Sequence, residues 1–123
     1  MQSVNTHLAP AAIGPYSQGI LMNNILFISG QLGIDPRTGD MPMSFEAQAN
    51  LVFNHLKAIL DAASMGFAHV VKVTVYLDDM NHFSTLNEIY TRNFSAPFPA
   101  REVVEVSRLP KDAMIEISVI AMK

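Results

Sequence analysis

The stretch FEAQANLVFNHLKAILDAA, residues 45–63, followed by HVVKVTVYL, residues 69–77, decides the fold, because the apolar period switches from helical to alternating between them. Phe45, Ala49, Val52, Leu56, Ile59 and Ala63 recur at steps of three and four, which puts them on one helix face. Ser44 is suited to cap the start, Glu46 to meet the helix dipole and Gly66 to end the run, so the spacing predicts a helix over about 44–65. In the second run Val71, Val73, Val75 and Leu77 share one face and Val70, Lys72, Thr74 and Tyr76 the other, as in a strand partly covered on both sides.

Upstream, Gln18–Met22 and Ile25–Ser29 are short apolar runs joined by Asn23-Asn24, a pair that tolerates positive φ and suits a tight hairpin. Asp35-Pro-Arg-Thr-Gly-Asp40 reads as a surface loop. Downstream, Asp78–Asn81 supply a turn and a cap for a second amphipathic helix with Phe83, Leu86, Tyr90 and Phe94 along one side. Pro97 and Pro99 stop it, and strands at Arg101–Val106 and Met114–Ala121 follow. The order strand, strand, helix, strand, helix, strand, strand predicts a single α+β domain over residues 1–123, with a mixed β-sheet and two helices on one face. The opposite sheet face is then the natural surface for packing between subunits.

Composition points the same way. Hydrophobic residues make up 50% of the chain and charged ones 15%, below the roughly 25% of an average soluble domain. Apolar surface should remain once one core is filled, and self-association would cover it. With no cysteine there is neither a disulfide framework nor a thiolate metal site, and the cytoplasm is the expected compartment. No segment reads as a secretion signal or a membrane span. The formal charge is −3 and the eight Lys and Arg residues are scattered, so a nucleic-acid surface is not expected.

Two side chains stand out chemically. Glu116 lies in the apolar run Met114–Ala121, where alternation groups it with Ser118 and Ile120, and a carboxylate there is either exposed at an edge or held in a pocket. Arg101 opens a strand after the bend Phe98-Pro-Ala, where it either binds an anion bidentately or pairs with Glu102, Glu105 or Glu116. Tyr16, in Gly14-Pro-Tyr-Ser-Gln-Gly19, and Ser29-Gly30, ending a strand, are open to a reading as turn chemistry. Asn87 falls beside the second helix's apolar stripe, where a solvated face is the plain alternative. The histidines at 7, 55, 69 and 82 lack metal-ligand spacing and read as structural or solvent-facing, and no phosphate loop, dinucleotide fingerprint or serine elbow occurs.

Ala9-Pro-Ala-Ala-Ile-Gly-Pro-Tyr-Ser-Gln-Gly19, Ser29-Gly-Gln31, Asp79-Met-Asn-His-Phe83 continuing to Asn87, Pro99-Ala-Arg101, and Val104-Glu-Val-Ser-Arg-Leu-Pro-Lys111 with Ile115-Glu-Ile117 resemble the Rid family, also called the YjgF/YER057c/UK114 family. The resemblance covers essentially the whole chain in order. It implies a chorismate-mutase-like fold and a homotrimer with a central β-barrel and three intersubunit clefts. It also implies hydrolysis of 2-enamine and 2-imine carboxylic acids, such as 2-aminoacrylate and 2-iminobutyrate, to 2-keto acids and ammonia, without metal or organic cofactor. By position it makes Arg101 the carboxylate binder and Glu116 the acid near the reacting carbon, with Tyr16, Ser29, Gly30 and Asn87 lining the cleft. Residues of two subunits would meet in one cleft.

The chain departs from the family pattern after the Arg, where Glu102-Val103 replaces small residues. On a regular strand Val103 shares the face of Arg101 and narrows the cleft, while Glu102 points away. Two rival readings are a non-catalytic module holding a keto acid and an RNA-processing or translation-inhibiting protein.

Overall fold

The Ser44 hydroxyl accepts a hydrogen bond from the Ala47 amide at 3.2 Å, and the first helix, α1, runs Phe45–Ala62 from that cap. The computed structural model describes residues 1–123. The helix ends earlier than its spacing predicts, and not at Gly66. Ser64 takes the left-handed conformation (φ 57°), with the Met65 amide donating to Leu60 O and the Ser64 amide to Asp61 O, both at 2.9 Å. This bond pair satisfies the last carbonyls two residues before Gly66, which is extended (φ −136°).

The strands are β1 (Gln2–Val4), β2 (Gly19–Met22), β3 (Ile25–Leu32), β4 (Val70–Leu77), β5 (Ala100–Glu105) and β6 (Ile115–Met122), with helix α2 at Phe83–Asn93. They form one mixed sheet in the order β1-β2-β3-β6-β4-β5, in which only β4 and β5 are parallel neighbours. α2 makes the crossover between them. Asn23 and Asn24, at φ 49° and 67°, form the expected two-residue hairpin between β2 and β3. β1 was not visible in the sequence, since three residues carry no period; it pairs along β2.

Two bulges alter the alternation. In β4 the register shifts between Val70 and Lys72, so Val70 turns into the core at 6% exposure while Val71, expected to share the face of Val73, Val75 and Leu77, is 46% exposed. In β3 the strand does not end at Ser29 but continues to Leu32. Ile28 pairs with Val119 and Gln31 with Ile117, so Ser29 and Gly30 together oppose Ser118.

Both helices cover one sheet face. Leu26, Val73, Val75 and Ile117 from the sheet meet Val52, Leu56, Ile59, Leu86 and Ile89 from the helices in one buried cluster. The other face has no layer over it and presents Phe27, Met22, Val104 and Met122, each 43–51% exposed. No helix is long and apolar enough to cross a membrane.

Candidate active site

The β3 bulge builds the first half of the site. It opens a gap above Glu116, and the carboxylate fills it so closely that a Cβ on Gly30 would lie 2.5 Å from Glu116 Oε2 and 2.7 Å from Cδ. Gly30 is needed for space, not for a special φ. Beside it the Ser29 hydroxyl donates to Ser17 O at 2.6 Å and the Ser29 amide to Gln18 O at 3.0 Å. Ser29 thus tethers the strap carrying Tyr16. The buried Gln18 side chain holds the strap's earlier part, donating to Pro10 O at 2.8 Å and accepting from the Thr6 amide at 2.8 Å.

Tyr16, Ser29, Gly30 and Glu116 line one open cleft of about 770 Å³, together with Asp35 and Lys111. Glu116 is half-buried, and desolvation raises its pKa above the ordinary carboxylate value. The Arg37 guanidinium beside Asp35 holds that carboxyl below its usual range. The two carboxyl groups of the cleft are therefore shifted in opposite directions, Asp35 down by its ion pair and Glu116 up by burial.

The second half lies on β5 and α2. Arg101 pairs in register with Val73 and Val103 with Val75, which sets both side chains on the helix-covered face. Arg101 Nη1 donates to Asn87 Oδ1 at 2.9 Å, and its guanidinium carbon stands 4.6 Å from the Tyr90 ring centroid and 5.6 Å from that of Phe83. No carboxylate pairs with it. Glu102 binds Lys72 at 2.7 Å on the other face, Glu105 accepts from the Met80 amide at 2.8 Å, and Glu116 is two strands away on the opposite face. Val103 packs against the core on the face of Arg101, as regular alternation requires.

The chain therefore brings Tyr16, Ser29, Gly30 and Glu116 together, and separately Asn87, Arg101 and Val103, but not the two groups. Two strand spacings and a three-residue offset put the Cα atoms of Arg101 and Glu116 about 14 Å apart, with side chains on opposite faces. Sequence reasoning did not single out Asp35 and Lys111, which it left in loops, nor Phe83 and Tyr90 as more than an apolar stripe. Phe83, Asn87 and Tyr90 are four and three residues apart, a spacing that places the Asn between two aromatic rings on one helix face.

Gly30→Ala is expected to fold, with a stability loss of about 1–3 kcal/mol, since the crowded atoms are the end of a flexible side chain. If Glu116 takes part in chemistry, displacing its carboxylate by about 1 Å is expected to cost roughly 10²-fold in kcat/KM, which steady-state kinetics beside a thermal melt would separate from unfolding.

The chain matches the family model described as Endoribonuclease L-PSP over residues 6–123. A RutC family protein of Pyrococcus horikoshii is 52% identical over 119 residues, covering 96% of this chain and 94% of the relative. A 2-iminobutanoate/2-iminopropanoate deaminase of Escherichia coli is 45% identical over 125 residues, covering 99% and 98%. The crystal structure of RidA from an Antarctic Psychrobacter superposes with a TM-score of 0.97 at 45% identity, over 100% of both chains. With the quoted motifs, the bulge that seats Glu116 and this match along nearly its whole length, the chain belongs to the family described as Endoribonuclease L-PSP, which is the Rid family.

Proposed function

We propose that this protein hydrolyses short 2-imino and 2-enamine carboxylic acids to 2-keto acids and ammonia, in clefts between the subunits of a homotrimer. The observation that carries the reading is Arg101, a half-buried guanidinium with no carboxylate partner although Glu102 and Glu105 share its strand. An unpaired cation in such a place is suited to a planar anion, and a substrate carboxylate fits its fork of donors. The E. coli relative's name supplies the reaction class.

The division of the site supports assembly. Glu116 and Arg101 are on opposite faces of one sheet, so one substrate can touch both only if they come from different copies. The uncovered sheet face, with Phe27, Val104 and Met122 exposed, is apolar enough to be that contact.

The chemistry then follows from the two halves. Arg101 clamps the carboxylate and fixes the adjacent C=N carbon. Glu116 of the neighbouring copy takes a proton from a water whose oxygen bonds to that carbon and returns it to the nitrogen, giving a carbinolamine. It then takes the hydroxyl proton of that intermediate and delivers it to the nitrogen as the C–N bond breaks, so that ammonia leaves and the carbonyl of the keto acid forms. A carboxyl raised by burial suits both directions of that transfer. Tyr16 and Val103 bound the space for the substrate's side chain and favour a short one.

The test is ammonia and keto-acid release from freshly generated 2-aminoacrylate and 2-iminobutyrate. Hydrolysis faster than in buffer is the expected result. Assembled protein that matches buffer on both substrates, while still binding 2-oxobutyrate, would replace this reading with a non-catalytic binding module. An RNA-cleaving role has less support: the chain carries a net −3 charge, and Arg37, Lys72 and Arg108 are already paired with acids.

A further inference from the structure

Because no acid pairs with Arg101, something other than charge has to fix its guanidinium. The bond to Asn87 constrains one edge of a plane with five donors. The nearer aromatic contact is Tyr90, at 4.6 Å against 5.6 Å for Phe83, and the two rings differ in how firmly they are held. Phe83 is 37% exposed, Tyr90 only 5%. Tyr90 lies 4.6 Å from Phe94 and meets Phe53 edge-on at 6.2 Å, and Phe94 reaches Phe67 at 5.0 Å. It is therefore part of a braced aromatic cluster under the guanidinium.

The Tyr90 hydroxyl has no hydrogen-bond partner in the chain. Within the chain it is therefore the ring, and not the phenol, that meets the guanidinium.

We infer that Tyr90 is a positioning residue for the carboxylate site: its braced ring holds the Arg101 guanidinium in place, so that the donors Asn87 does not use stay available to a substrate carboxylate. This rests on the proposed function for the identity of the anion, but the stacking is a property of the chain alone. A guanidinium already stacked loses less freedom when it binds, and that saving appears as affinity.

The experiment uses the whole assembled protein. The Arg101 Nε–Hε resonance, identified by its disappearance in Arg101→Lys, is expected upfield of the exposed arginines in the wild type through the ring current of Tyr90. Tyr90→Leu, and Tyr90→Met in case Leu fails to fold, should move it downfield and raise both the KM for 2-iminobutyrate and the Kd for 2-oxobutyrate about tenfold, within the range of a desolvated cation–π contact. Tyr90→Phe should restore all three. In an Arg101→Ala background the Tyr90 changes should have no further effect on Kd, which a purely structural role would not produce.

A wild-type resonance at the position of the exposed arginines would overturn the inference, as would folded non-aromatic variants with unchanged KM and Kd. In either case turnover by the wild type would leave the deaminase reading standing. A wild type that neither turns over 2-iminobutyrate nor binds 2-oxobutyrate would remove both.

Discussion

Glu116→Gln is expected to slow hydrolysis of 2-iminobutyrate by about 10²–10⁴-fold, the range a positioned acid–base group supplies. Gln is nearly isosteric, so it keeps the close packing over Gly30, where no Cβ fits, and removes only the ability to take and return a proton. KM should change less than kcat, because the group acts on the water and the nitrogen and not on the substrate carboxylate. The same substitution should also raise the melting temperature at neutral pH. Burial holds the Glu116 carboxyl above 4.5, so the folded chain binds that proton more tightly than the unfolded chain does. The stability this provides is complete below 4.5 and is lost as pH rises through the folded-state value. Above the folded-state value the wild type carries a desolvated carboxylate that the Gln variant lacks. The two melting temperatures should differ there and converge in acid. Activity lost together with stability at every pH would instead mark Glu116 as a structural residue, and the proposed proton transfer would fall.

The parts of this structure legible in the sequence are those governed by an unbroken period. The stripe from Phe45 to Ile59 gave α1, the alternation of β6 put Glu116 on the face opposite Ile115 and Ile117, and Asn23-Asn24 gave the hairpin. The reading failed where one extra residue resets the phase. Plain alternation groups Val71 with Val73 and ends the β3 run at Ser29, because a bulge leaves no mark in a run of β-forming residues. Gly66 reads as the helix stop because Gly is the usual left-handed residue, yet Ser64 sits where the geometry of the last turn requires one. For the site, residue identity was legible and proximity was not. Register across β6, β4 and β5 decides that Arg101 faces the helices and Glu116 the uncovered side. That is a relation between strands far apart in the chain, which neither run contains on its own. The lack of any acid partner for Arg101 is equally invisible in sequence, where three glutamates compete for it.

Arg101→Ala should give the other large effect, and of a different kind: a fall in kcat/KM of about 10²-fold, carried mainly by KM, as expected for the loss of a charge-assisted bidentate contact. Product inhibition by 2-oxobutyrate should disappear with it, since the keto acid presents the same carboxylate. Arg101→Lys should recover only part of the loss, because an ammonium keeps the charge but offers neither the planar fork nor the stacking surface that meets Tyr90. Stability is the discriminating measurement. Arg101 makes no ion pair, and its one hydrogen bond is to the neutral Asn87, so truncation removes a cation that nothing in the chain neutralises. The lost cation–π contact and side-chain packing are offset by relief from burying that charge, and the melting temperature should move by only a few degrees. A severe loss of stability in Arg101→Ala would mean that the guanidinium holds α2 to β5. A melting temperature near that of the wild type, together with a 10²-fold rise in KM, would mean that the position is kept for the ligand and not for the fold.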